Sequence, residues 1–283
     1  MKHAKIFWIL WLIALPMLVN SQGFYTGVGG GYGLGAARNT SQDYVSVDDG
    51  TNVNNTYTAK HYSYGQGTSA GLYAGYMIKN GFGVELGYSY VKGSTFEFIS
   101  ENRNSFFNFN TKYLNRSYGK TMRLMPAVRL SFGEKKLTGY AKAGIVLGIG
   151  NKLTDENEDS FSAFGVTQTD YRITEYTGGM AFGVHGSLGV TYMFTNTLGI
   201  FAEVGGFYQE WAPKRSELIK YTIDGQNELG SLTTYQKETE YVDEYTDDGS
   251  TNTNEPDKQT KVYFPFSSIN INIGIHFSFG KTE

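Results

Sequence analysis

The chain contains no cysteine. That excludes a disulfide framework, thiolate metal sites, a thiol nucleophile and a lipid-modified N-terminal cysteine. Charge of either sign is in short supply as well: 24 Lys and Arg stand against 27 Asp and Glu, a formal net charge of -3. Such a balance offers no basic field for nucleic acid. A mean hydropathy of -0.34 fits no helical membrane protein. It does permit a chain that crosses a membrane with strands, because lipid-facing and lumen-facing residues alternate and average out. Long apolar runs are missing except for Ile6 to Val19, which Pro16 interrupts and which is too short for a spanning helix. Lys2 and Lys5 precede that run and Val19-Asn20-Ser21 follows it. This is the layout of a cleaved export signal over residues 1–21, with Gln22 as the new N-terminus; an uncleaved anchor helix is the competing reading. No composition break divides residues 22–283, which read as one domain.

What the chain has in quantity is glycine, tyrosine and phenylalanine: 36, 22 and 19 residues. Alternation of apolar with small or polar residues divides residues 22–283 into eight strand candidates. They run Phe24 to Gly35, Thr68 to Lys79, Phe82 to Tyr90, Lys120 to Phe132, Leu137 to Gly150, Gly179 to Phe194, Thr197 to Glu210, and a last stretch ending at Phe279. Pro126 lacks a ladder donor and predicts a bulge in the fourth. In the last, Val262, Phe264 and Phe266 fall on even positions but Ile269 to Phe279 on odd ones, which predicts a register-repairing bulge near Ser267-Ser268. Three tight turns alternate with four long polar stretches, Ala36 to Gly67, Lys92 to Tyr118, Asn151 to Gly178 and Trp211 to Thr260. All tight turns then lie at one end, together with both termini. Within the longest stretch, Asp224-Gly225-Gln226-Asn227 predicts a hairpin between Ser216 to Ile223 and Leu229 to Tyr235.

Alternation alone does not say which face looks outward. The apolar set is bulky, whereas the opposite set is mostly Gly, Ala, Ser and Thr, and a narrow barrel can house only the latter. Aromatics also recur at two levels of the apolar face: Phe24, Phe82, Phe132, Phe194 and Phe279 at one, Tyr90 and Tyr208 at the other. Both features favour lipid outside.

The final run, Ile269-Asn-Ile-Asn-Ile-Gly-Ile-His-Phe-Ser-Phe279, carries a more specific signal. Asn272, Gly274, Phe277 and Phe279 match the polar, Gly, aromatic, aromatic spacing of the closing strand of bacterial outer-membrane barrels. Residues 22–283 as a whole resemble the small outer-membrane β-barrel families, including the transmembrane domain of outer membrane protein A. The resemblance implies an all-β fold: a closed antiparallel transmembrane up-and-down barrel of eight strands, with long outer loops and short periplasmic turns. It further implies residence in the outer membrane of a diderm bacterium and contact with outer-membrane lipid. Insertion would be by the barrel-assembly machinery, which reads Asn272, Gly274, Phe277 and Phe279.

The lumen-facing set includes Glu85, Arg123, Arg129, Lys142, His185, Glu203 and His276. Glu85, Arg129, Lys142 and Glu203 lie at similar depth from the tight turns. Charges there are costly unless paired, so a mutually neutralising plug is expected; separate solvation in a wet lumen is the alternative. Functionally the chain reads as a monomeric structural or surface-interaction barrel that meets an extracellular ligand through its loops. A narrow channel for ions or small molecules is the alternative. A rim hydrolase built on His61 is a third reading, resting on a lone histidine. No catalytic, cofactor or metal residue set is expected; the acidic stretch at Asp247-Asp248-Gly249 lacks the spacing of a calcium loop.

Overall fold

The computed structural model describes residues 23–36, 39–79, 81–105, 108–134, 136–246 and 252–279. The export signal expected over residues 1–21, the Asn80 turn and Asp247 to Gly249 lie outside them. In chain order the strands are β1 (Phe24–Gly35), β2 (Asn39–Asp48), β3 (Val53–Tyr62), β4 (Gly67–Lys79), β5 (Phe82–Gly93) and β6 (Phe96–Asn104). There follow β7 (Phe109–Gly133), β8 (Leu137–Ala163), β9 (Val166–Thr177), β10 (Ala181–Met193), β11 (Leu198–Trp211) and β12 (Arg215–Ile223). The chain continues with β13 (Gln226–Asn227), a single helical turn α1 (Thr234–Lys237), β14 (Glu238–Val242), β15 (Asp257–Thr260), β16 (Phe264–Pro265) and β17 (Ser268–Phe279). All 17 strands belong to one mostly antiparallel sheet.

Antiparallel ladders join eight of these strands in the order β1, β4, β5, β7, β8, β10, β11 and β17, and β17 pairs back onto β1. The ladders therefore form a cycle, which leaves no free edge at that level. Along these strands the more buried residues lie on one face of the cycle and the more exposed ones on the other. Val28, Leu72, Leu86, Leu130, Ile145, Leu188, Val204 and Ile273, one from each strand, are all more than 50% exposed. Register sets them side by side: Val28 is opposite both Leu72 and Ile275, and Leu188 opposite Val204. The outward side is thus a continuous apolar belt. At the tight-turn end the Phe24 and Phe279 rings meet at 5.8 Å. The β10–β11 turn is tied by Thr195 Oγ1, which accepts from the Leu198 amide at 2.9 Å.

Among the described residues, much of the four polar stretches is strand. They continue the sheet above the belt as a crown. β2 and β3 form a hairpin, and β2 also pairs in parallel with β6. β6 lies on the upper half of β7, which pairs with the upper half of β8, followed by β9, β12, β14 and β15. β7 and β8 reach 25 and 27 residues because each runs unbroken from belt to crown. Their ladder shifts register by one between Lys120 and Met122. Thr121 there faces both Gly150 and Asn151, and Gly150 has φ +61, a left-handed conformation that suits glycine in a bulge. The bulge changes which parity of β8 points inward, from Tyr140 and Val146 below it to Asn151 and Leu153 above it, all buried. This is why alternation ends at Gly150 in the sequence while the strand does not.

Three local expectations are corrected. Pro126 causes no bulge: it pairs with Leu86 of β5, and the β7–β8 register is the same at Leu124 and Ala127. The missing N–H is absorbed as a gap in one ladder. No bulge repairs the register at Ser267-Ser268 either. Trp211 to Phe264 and Phe207 to Ser268 belong to one register on β11. Even-numbered residues face inward throughout; Phe266 is fully buried, and Ile269 is exposed. The apolar residues switch sides because the belt needs them outside and the crown needs them inside. Finally, the hairpin at Asp224-Gly225 keeps only Gln226–Asn227 as its return strand. Leu229–Ser231 is a 3-10 turn, and Thr233 with Gln236 forms a reciprocal capping box at the start of α1.

Candidate functional site

Four charged side chains from four strands meet inside the cycle. Lys142 Nζ on β8 lies 2.9 Å from Glu85 Oε1 on β5 and 2.5 Å from Glu203 Oε2 on β11. Arg129 Nη1 on β7 lies 3.4 Å from Glu85 Oε2. All four side chains are 10% exposed or less. The residues singled out for lumen pairing are therefore brought together, in the order Arg129, Glu85, Lys142, Glu203. Charges taken out of water are tolerated only with close opposite partners and further hydrogen bonds. Both conditions hold, because the Tyr25 hydroxyl donates to Glu85 at 3.2 Å and the Tyr140 hydroxyl to Glu203 at 3.0 Å. The Arg129 guanidinium is also stacked over the Tyr140 and Tyr25 rings, 3.9 and 4.7 Å from their centres.

Three inward tyrosines complete this layer: Tyr25, Tyr73 and Tyr140. Each stands directly opposite a glycine: Tyr25 on Gly75, Tyr73 on Gly27, Tyr140 on Gly189. A Cβ on any of these glycines would come within 2.5 Å of the tyrosine ring. The phenols can lie flat across neighbouring strands only because the partners have no side chain. Tyr73 also shares a 2.8 Å hydrogen bond with His276 Nδ1. Sequence reasoning missed these tyrosines. The available signal was a large residue interrupting each small face, but its glycine partner is identifiable only once register is known.

Above the charged layer a cavity of about 80 Å³ is lined by Glu85, Arg123, Lys142, His185, Glu203 and Asn272, among others. Below it a vestibule of about 300 Å³ opens at the tight-turn end, lined by Tyr25, Arg129 and His276 among others. Arg123, fully buried, does not join the ion pairs. Its Nε donates to Gln209 Oε1 at 2.9 Å and its Nη2 to the Phe266 carbonyl at 2.7 Å, with the guanidinium over the Phe207 ring. His185 stacks on Phe207.

A second closure lies at the junction with the crown. Tyr64, Leu153, Ala181, Trp211 and Phe266 form a buried cluster, with Tyr62, Phe96, Tyr176 and Phe264 packed against it. The Trp211 indole donates to the Gly178 carbonyl at 2.9 Å. Over this cap the Tyr64 hydroxyl meets Ser117 Oγ at 2.7 Å, and Ser117 donates to Asp155. Burial raises the Asp155 carboxyl above the usual range, partly offset by the hydroxyls of Ser117 and Tyr176. Burial likewise pushes up the Tyr64 and Tyr176 phenols.

The remaining singled-out residues fall elsewhere. Asn272 and Gly274 are on the inward side of β17, opposite Gly31 and Gly29 of β1. Phe277 pairs with Leu198, and Phe279 with Phe24. His61 is exposed, and its Nδ1 lies 3.1 Å from the Thr40 hydroxyl. Among the described residues no cluster of three or more His, Asp or Glu could hold a metal ion.

Taken together these features define a class: an all-β chain whose antiparallel ladders cycle around a polar interior, with an apolar exterior and a β-rich crown. No family model matches the chain, and no curated protein matches it. Among solved structures it is similar to Neisserial surface protein A, at 13% identity and a TM-score of 0.34, over 91% of this chain and 98% of that one.

Proposed function

We propose that the chain is an eight-stranded outer-membrane barrel that presents its crown to partners outside the cell and does not conduct. The observation that carries this reading is the pairing of an unbroken outward apolar belt with an enclosed side filled at two levels. In water such a belt would be a very large exposed apolar surface, whereas in a bilayer it is solvated by acyl chains. Strands of about ten residues suffice to cross the hydrocarbon layer, and the belt spans about that length on each strand. A conducting path would have to break both Lys142 ion pairs and displace Trp211 and Phe266, so the closed barrel is favoured over a channel. The crown, rich in exposed tyrosine and asparagine, supplies rigid amphipathic surface for contact.

The test joins two measurements. The protein folded into a planar bilayer should give no steady conductance, and protease added to intact cells should cut within Trp211 to Thr260. Steady single-channel openings would overturn the closed-barrel reading. Protection of that segment in intact cells, with cleavage only after the envelope is opened, would reverse the assignment of sides.

A further inference from the structure

The upper margin of the belt is not uniform around the cycle. On three adjacent strands it ends in lysine: Lys92 on β5 is directly opposite Lys120 on β7, and Lys120 directly opposite Lys152 on β8. Their inward neighbours Val91, Thr121 and Leu153 are buried, so all three lysines point outward. The row immediately beneath is apolar and in register too: Tyr90 opposite Met122, and Met122 opposite Ile149. Like charges directly opposite in a sheet repel, and neighbouring strands are only about 4.8 Å apart. Lys152 has an acid partner, Glu175 at 2.5 Å. Among the described residues Lys92 and Lys120 have none. At the crown end of the β10–β11 ladder the outward pair is instead Phe182 and Glu210. The basic row is therefore a local feature of one wall.

A sheet that lines up three ammonium groups with one acid, Glu175 on Lys152, among them leaves the charges of Lys92 and Lys120 open to an anion. The anion must come from a molecule whose other end is apolar, because the row sits on the rim of a greasy wall. We propose that Lys92, Lys120 and Lys152 bind the phosphate of a lipid in the leaflet at the crown end, with its acyl chains against Tyr90, Met122 and Ile149. This rests on the membrane reading above and adds a lipid site to it. The ammonium groups act as point charges, which suits a phosphate monoester better than a zwitterionic headgroup. Each lysine near the headgroup plane contributes about fivefold in affinity, so the unpaired two contribute about thirtyfold.

The experiment uses the full chain folded in phosphatidylcholine vesicles containing a minor fraction of phosphatidic acid with the same acyl chains. Lipid retained on the protein is counted by native mass spectrometry. The unsubstituted chain should retain phosphatidic acid over phosphatidylcholine, and K92Q/K120Q should lose about thirtyfold of that preference while keeping its heat-dependent gel shift. K258Q, in the crown, should retain it. Free inorganic phosphate at the concentration of the doped lipid should not compete; if it does, the row binds phosphate without lipid and the proposal falls. Equal retention by K92Q/K120Q and the unsubstituted chain overturns this inference and leaves the barrel standing. Failure of the unsubstituted chain to enter vesicles at all removes the membrane reading and this inference with it.

Discussion

Glu85 balances two cations at once, Arg129 and Lys142, and accepts from Tyr25 as well. Removing its charge leaves two cations, Arg129 and Lys142, against one remaining acid, Glu203, which only Lys142 contacts. Breaking a buried ion pair on one side costs roughly 3–5 kcal/mol. Glu85→Gln should therefore lower unfolding stability in detergent by about that amount, read as a fall in the urea midpoint with unchanged slope. The glycines opposite the tyrosines make a second prediction. A Cβ on Gly27 would lie 2.4 Å from the Tyr73 ring, so Gly27→Ala should cost about 1–3 kcal/mol by overpacking. Tyr73→Ala should restore tolerance to the Gly27 change, a coupling that a double-mutant cycle would measure. Asp155 gives the pH dependence. Its carboxyl is raised by burial, so the folded crown holds that proton more tightly than the unfolded chain does. Its favourable contribution is present at low pH and is lost as pH rises from the ordinary carboxylate value through the raised one. Hydrogen exchange of Tyr64 and Tyr176 backbone amides should accelerate across that window, and Asp155→Asn should flatten the change.

At the scale of elements, the belt and the crown place opposite demands on one continuous strand. β16 and β17 keep a single register while their apolar residues change side, so Phe266 packs inside and Ile269 looks out. Phe266→Ala should cost about 3–5 kcal/mol as a core truncation, whereas Ile269→Ala, facing outward, should cost under about 1 kcal/mol; differential thermal unfolding of the two variants would check it. The same switch explains what the sequence could and could not say. Most of Phe24 to Gly35 was legible, because bulky outward and small inward side chains alternate from Gly27 on, with Gly30 as an exception, while the inward Tyr25 was missed. The charged layer was legible as a depth coincidence of Glu85, Arg129, Lys142 and Glu203. The crown was not. In β3 nearly every residue is exposed, so neither face imposes a pattern, and polar strands such as Val53–Tyr62 read like loops. In β8 the bulge at Gly150 ended the alternation, so the strand read as stopping there and residues 151–163 read as part of a polar stretch. Pro126 read as a defect because a missing donor predicts disruption, yet the ladder skips it without changing register.

For the whole molecule, the proposed bilayer is what makes the exterior tolerable. Leu188, 68% exposed near the middle of β10, would face the centre of the hydrocarbon layer. Leu188→Arg should cost about 2–4 kcal/mol of folding stability in vesicles. In a chain folded in water the same exposed substitution would be nearly neutral. Measured folding yields in lipid vesicles therefore test the membrane reading at a site far from the lumen and crown.

The unbroken run of β7 and β8 carries one last consequence. Residues 151–163 of β8 rise beyond the belt as strand, which at about 3.3 Å per residue is roughly 40 Å of rigid backbone. A surface built this way stands at a fixed height instead of sweeping through a volume. In the proposed bilayer it would hold its tip well above the headgroups. Between that tip and Lys142 on the same strand the paired backbone is interrupted only by the bulge at Gly150.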